Sequence, residues 1–277
     1  MPFTHPPATG LEHCRVADLD LLIRRGIDCR PPLLLLHGIG SRSFSFVPLM
    51  NALHPSRTVI AWDAPGYGGS TPLSMAEPAV SDYAAAVIKL LDAYPLLEID
   101  LVGHSLGTLI AAHVAARMPD RVRRLALLSP TFGYGVRLGE PLPQSVADRP
   151  KELVALGAET FARKRGPRLV HAPDTKPDVA EAVVTAMSTM TLPGYGQATH
   201  LLGTGHLLED INKLCCPTLI AVGAEDVVTP PEIARRVAEV LPQKATSYPN
   251  AVEIPLCGHA VYLEDPVTVA RILERHF

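Results

Sequence analysis

The chain has 277 residues, 47% of them hydrophobic, and its 25 basic against 28 acidic side chains leave a formal charge of only −3. That length and apolar content suit one large α/β domain with a sizeable core, while the small net charge gives no electrostatic reason to bind nucleic acid or an acidic membrane. No apolar run reaches the roughly 20 residues of a membrane span, and the opening MPFTHPPATG has neither the basic start nor the apolar stretch of a signal peptide.

Residues 13–26, HCRVADLDLLIRRG, read as two short strands around a turn, an antiparallel entry hairpin. PLLLLHG (32–38) is a wholly apolar run closed by glycine, the pattern of a strand buried on both faces of a mainly parallel sheet. RTVIAWD (57–63), EIDLVGH (98–104), VRRLALLS (122–129), PTLIAVG (217–223) and NAVEIPL (250–256) continue the series. Helices are expected at 44–54, 79–94, 106–118, 230–241 and 265–277. Alternation of this kind predicts an α/β fold, a doubly wound, mostly parallel eight-stranded sheet with right-handed crossovers. Residues 131–212 break the alternation: they carry helix-like pieces but no convincing strand. They read as a helical cap or lid inserted after strand 6, leaving 1–130 and 213–277 as the core. A separate small bundle is the plainer alternative, but an insertion at this point emerges at the carboxyl ends of the strands, where open α/β sheets bind ligands.

Within this frame, Gly103-His104-Ser105-Leu106-Gly107 fits G-x-S-x-G between an apolar strand and a helix. The plain reading is a turn serine. The sharper one is a nucleophile, because glycines at both ends remove Cβ atoms that would collide in so sharp a turn, and the helix start aims free N–H groups at the same point. A serine hydroxyl needs a base, and the base an orienting acid. The architecture orders them Ser, then Asp or Glu, then His. Glu225 and Asp226 stand just beyond the strand at 217–223, and only His259 and His276 follow. His259 lies in a loop directly after a strand, whereas His276 is on the terminal helix, so Ser105, Asp226 and His259 are the expected catalytic set, with Glu225 as fallback. An oxyanion needs preorganised N–H donors. The backbone N–H of Leu106 and, from the loop His37-Gly38-Ile39-Gly40, that of Ile39 are the expected pair, with Gly40 next. His37 reads as a loop-supporting hydrogen-bonder. Gly40, His104, Tyr134 and Val228 are candidate pocket residues, and Arg137, Arg163, Lys164, Arg165 and Arg168 either meet a substrate carboxylate or form a solvated face.

Cys14, Cys29, Cys215, Cys216 and Cys257 are odd in number, scattered and without C-x-x-C spacing, which reads as reduced, buried thiols in a cytoplasmic protein. No metal or organic cofactor is called for, and no phosphate-loop or dinucleotide pattern is present. A homodimer, if formed, would use lid or terminal-helix surfaces.

Taken together, HGIGS (37–41), DAPGYGGS (63–70), GHSLG (103–107), GAEDVVTPPE (223–232) and CGHAVYLEDP (257–266) resemble the α/β-hydrolase fold in family order across 11–277. Within that family the second and fourth stretches resemble small bacterial esterases, enol-lactonases and carbon–carbon hydrolases of aromatic-ring breakdown. Ser105 stands where haloalkane dehalogenases and epoxide hydrolases of this fold carry Asp, which argues against both. His104 and Ala260 replace the Asn and Trp usual in the ring-cleavage hydrolases. The resemblance implies a serine hydrolase acting on a small carboxylic ester or lactone through an acyl-enzyme. The alternatives are hydrolysis of a vinylogous diketone or enol-amide, and a low-turnover ligand-binding protein, against which the complete set of three residues argues. Activity is expected to fall on acidification, because a protonated His259 cannot accept a proton.

Overall fold

The structure, a computed structural model, describes residues 10–27, 30–94, 98–248 and 250–277. β1 (Leu11–Val16) and β2 (Leu19–Arg24) form the expected hairpin. Its two turn residues, Ala17 and Asp18, both have positive φ (52° and 68°), as a tight hairpin turn with the strands' own twist requires. β3 (Leu33–Leu36), β4 (Val59–Trp62), β5 (Ile99–His104), β6 (Val122–Leu128), β7 (Thr218–Gly223) and β8 (Val252–Ile254) complete an eight-stranded sheet in the order β1-β2-β4-β3-β5-β6-β7-β8. β2 meets β4 antiparallel, and every pairing from β4 to β8 is parallel. The strand expected over 250–256 contracts to three residues, since Pro255 has no N–H to extend the ladder.

The helices in chain order are α1 (Val47–Ala52), α2 (Val80–Ala93), α3 (Leu106–Arg117), α4 (Gln144–Leu156), α5 (Ala158–Arg165), α6 (Pro177–Met187), α7 (Gly194–Thr204), α8 (Leu207–Ile211), α9 (Pro231–Val240), α10 (Val261–Glu264) and α11 (Pro266–His276). The helix expected at 44–54 is divided into a 3-10 turn, Ser43–Phe46, and α1. Pro48 is the cause: lacking an N–H, it fits only the first turn of a helix.

Strand residues alternate strictly between two cores. Leu34, Leu36, Ile60, Trp62, Leu101 and Leu125 pack with α2, α3 and α9 on one face. Leu33, Leu35, Val59, Ala61, Val102 and Ala126 pack with α1 and α11 on the other. This period of two explains why the inner strands β3 to β7 read as largely apolar runs: both faces are covered.

Residues 131–212 contain α4 to α8 and no strand, between β6 and β7. α4 and α5 are separated by Gly157 at φ 73°, where glycine carries no steric penalty. α7 is seated on the loop after β4. A Cβ on Gly66 would lie 2.4 Å from the Gly194 Cα, and the Gln197 amide donates to the Leu73 and Met75 carbonyls at 2.7 Å each. Cys14, Cys215, Cys216 and Cys257 are free thiols, while Cys29 lies outside the described residues. Among the described residues no helix is long and apolar enough to cross a membrane.

Candidate active site

Ser105 sits between β5 and α3 with φ 53° and ψ −118°, a sparsely populated conformation for a residue with a side chain. The flanking glycines make the turn possible for different reasons. A Cβ on Gly103 would stand 2.4 Å from the Gly107 carbonyl oxygen, across the turn. One on Gly107 would stand 2.3 Å from the Leu36 carbonyl oxygen, on β3. The turn is thus pinned both to itself and to the neighbouring strand.

Asp226 and His259 come from the loops after β7 and β8, strands that lie side by side. His259 Nδ1 and Asp226 Oδ2 are 2.8 Å apart, both residues buried. A carboxylate only accepts, so Nδ1 carries the proton and Nε2 is the unprotonated nitrogen. The other Asp226 oxygen, Oδ1, accepts the backbone N–H groups of Val228 (2.8 Å) and Thr229 (2.9 Å). Burial alone would raise the Asp226 carboxyl, but the bond from His259, its charge and the two N–H donors prevail and hold it below the usual carboxylate range. Glu225 is exposed and is not the partner. Thr229 was not singled out from the sequence. Its hydroxyl donates to Asp226 Oδ2 at 3.0 Å and lies 3.2 Å from His259 Nδ1. The signal was present in the spacing D-V-V-T, which lets an aspartate fold the next residues around its own carboxylate.

The loop after β3 closes on the serine. A Cβ on Gly38 would lie 2.8 Å from the Ser105 Cβ. His37 supports this loop: Nε2 accepts the Ala64 N–H at 3.0 Å and Nδ1 lies 2.8 Å from the Gly38 carbonyl. Ile39 lines the same cavity as Ser105 and Leu106 follows it in the chain, and neither N–H donates to a backbone or side-chain acceptor among the described residues.

His104 does not line the cavity, contrary to the sequence expectation. Gly103 faces α3, so the next strand residue projects to the opposite face. There the His104 ring meets Tyr262 edge-on at 4.7 Å, and its Nε2–H donates to the His259 carbonyl at 2.9 Å. Burial, with the neighbouring His259 adding to it, pushes His104 down to about 3. Burial likewise pushes His276, bonded to the Leu125 carbonyl, down to about 4. His37 is lowered by the same cause. A histidine whose folded value lies below the ordinary 6.5 stabilises the fold above pH 6.5 and loses that contribution as pH falls. His104 and His276 are each therefore expected to cost on the order of 1.5 kcal/mol between pH 6.5 and 5, above the range where carboxylates titrate, and His37 acts in the same direction. Thermal unfolding at pH 7, 6 and 5 checks this: the melting temperature should drop steadily, and a constant value would refute buried neutral histidines.

Ser105 and His259 open onto one cavity of about 270 Å³. Ile39, Gly40, Tyr134 and Val228 line it as expected. So do Arg165 and Arg168, whereas Arg137, Arg163 and Lys164 do not. Arg163 pairs instead with Glu159 and Glu181, and Lys164 with Glu152. Arg149, Phe161, Met187, Met190 and Tyr195 also line the cavity and were not foreseen. Among the described residues no group of three or more His, Cys, Asp or Glu is placed to hold a metal.

Comparison with known proteins agrees with this fold. The model of the alpha/beta hydrolase family matches residues 33–272. The chain is 33% identical over 255 residues to a pimeloyl-[acyl-carrier protein] methyl ester esterase of Chromobacterium violaceum, covering 89% of this chain and 94% of that one. It is 25% identical to (E)-2-((N-methylformamido)methylene)succinate hydrolase of Acinetobacter baylyi, over 88% of this chain and 89% of the other. The crystal structure of an enol-lactonase from Burkholderia xenovorans superposes with a TM-score of 0.79 at 20% identity, covering 96% of this chain and 99% of that one, a likeness of fold.

Proposed function

The chain belongs to the alpha/beta hydrolase family, and from that premise we propose that it is a serine hydrolase cleaving a small carboxylic ester or lactone through an acyl-enzyme. The observation that carries this reading is the 2.8 Å bond between buried His259 and Asp226, with His259 and the strained Ser105 lining the same cavity. In this reading Ser105 Oγ attacks the substrate carbonyl while His259 Nε2 takes its proton. Asp226 keeps the proton of Nδ1 in place and stabilises the imidazolium that results. The carbonyl oxygen, now negative, is received by the N–H groups of Leu106 and Ile39. Collapse of the intermediate expels the alcohol, which takes the proton from Nε2. A water activated by the same nitrogen then releases the acid and restores Ser105.

Residues 131–212 would act as the lid. They contribute Arg149, Phe161, Met187 and Tyr195 to the cavity wall and so set which acyl and alcohol groups fit. Support for ester cleavage comes from the methyl ester esterase that shares a third of its residues with this chain. The second reading, hydrolysis of an enol-amide, draws on the weaker likeness to the N-methylformamido-methylene succinate hydrolase. Incubation with an aryl fluorophosphonate, read by intact and peptide mass, tests the serine chemistry. One adduct on Ser105 is expected, alongside turnover of short-chain aryl esters or lactones. Absence of an adduct together with no turnover of esters, lactones or enol-amides would reject both readings.

A further inference from the structure

The cavity behind Ser105 is electrostatically one-sided. Arg149 of α4, Arg165 at the end of α5 and Arg168 three residues further on all line it, and among the described residues no aspartate or glutamate does. Elsewhere in the same segment basic side chains meet acids: Lys151 with Asp148, Arg163 with Glu159 and Glu181, Lys164 with Glu152, Lys176 with Glu264. Arg165 is half-answered, since it shares Glu152 with Lys164 and lies over the Phe161 ring at 4.9 Å. Arg149 and Arg168 form no ion pair with a described residue. The Arg149 side chain donates one long bond, 3.4 Å, to the Ser145 carbonyl of its own helix. Tyr195, whose phenol is pushed up by burial and so stays a hydrogen-bond donor, stands near Arg149 and Arg165. The remaining wall mixes hydroxyl-bearing side chains, Thr131, Tyr134 and Thr229, with apolar ones, and Met187 and Met190 pack beside Gly40.

Guanidinium groups without an acidic partner on a cavity wall, Arg149 half-buried and Arg168 exposed, suit an anion, and their planar forks match a carboxylate. Met187 and Met190, on the same wall beside Gly40, suit a hydrocarbon spacer. We propose, resting on the reading of Ser105 as nucleophile, that the substrate is an ester bearing a free carboxylate, of which the half-ester of an aliphatic dicarboxylic acid is the simplest member. Its ester carbonyl sits at Ser105, its methylene chain on Met187 and Met190, and its carboxylate at Arg149 and Arg168. The reaction adds one water, breaks the acyl–oxygen bond, and releases the alcohol, a dicarboxylate and one proton.

The test compares monoethyl adipate, which carries the charge, with diethyl adipate, which does not. In the native protein kcat/KM for the half-ester should exceed that for the diester by roughly tenfold or more, the value of a charge-assisted pair. Arg149→Gln and Arg168→Gln should each lower the ratio of the two by about tenfold or more, while Arg163→Gln, away from the cavity, should leave the ratio as it is. The advantage should also shrink with added salt. Adipate binding, followed by calorimetry on native protein and the Arg149→Gln/Arg168→Gln double variant, reads the subsite without turnover, and should weaken at least tenfold in the double variant. A native enzyme that prefers the diester, or an adipate affinity indifferent to both arginines, would overturn the proposal while leaving the serine hydrolase standing. Failure of both esters and of the fluorophosphonate to react would instead remove the hydrolase reading and this substrate assignment with it.

Discussion

Ser105→Ala is expected to lower kcat for the best ester by about a millionfold, the loss typical when a triad nucleophile is removed. The alanine keeps the Cβ that Gly38 already accommodates and keeps the positive φ, so folding and melting temperature should stay close to native. The fluorophosphonate adduct should disappear with the activity. What remains is the slow attack of water on a substrate still held against the free N–H groups of Ile39 and Leu106. Steady-state turnover of native and variant protein, purified separately, checks this. A loss of less than about a hundredfold would place the chemistry on another residue, because an alanine at 105 has no nucleophilic atom with which to form an acyl-enzyme.

Asp226→Asn should cost about 10⁴-fold in kcat with little change in KM, through the tautomer of a histidine it does not replace. The reasoning starts from Oδ1, which accepts two backbone N–H groups, from Val228 and Thr229. An asparagine must keep its carbonyl oxygen there and turn its NH₂ toward His259. Two donors cannot face each other across 2.8 Å, so the imidazole would move its proton to Nε2 and accept at Nδ1. Nε2 then has no lone pair to take the serine proton. Measurement of kcat and KM for Asp226→Asn, with nitrogen NMR of the His259 ring, follows both halves of the effect. A variant retaining a tenth of native activity would show that position 226 does not govern the tautomer.

The frame of the molecule was readable because its inner strands, β3 to β7, are buried on both faces, so each announces itself as a largely apolar run closed by glycine or a polar residue. The Ser105, Asp226 and His259 set was readable because chain order admits few candidates: two histidines follow Asp226, and His276 is spent on the Leu125 carbonyl. The wall of the cavity was less legible, for a geometric reason. Arg163 and Arg165 are two residues apart on α5 and so point to nearly opposite sides of the helix. One meets Glu159 and Glu181, the other lines the cavity. Which of them faces inward depends on how α5 is rotated against α4 and α6, and nothing local in ARKR fixes that rotation. Arg149 was missed on the same account. His104 was misplaced because its partners, the His259 carbonyl and Tyr262, lie more than 150 residues along the chain.

The order of strands across the sheet carries a consequence for how the protein is made. Everything up to Arg149 leaves the ribosome before Asp226 and His259, and β7 and β8 join the open side of β6 last. The strained turn at Ser105 is therefore assembled on a sheet that still lacks both the base and its orienting acid. A nascent chain holding β1 to β6 has a serine in position and no means of activating it. Reactivity arrives only when β8 docks beside β7 and carries His259 into place, so a ribosome-bound fragment stopped before residue 250 should be folded in part and silent toward esters.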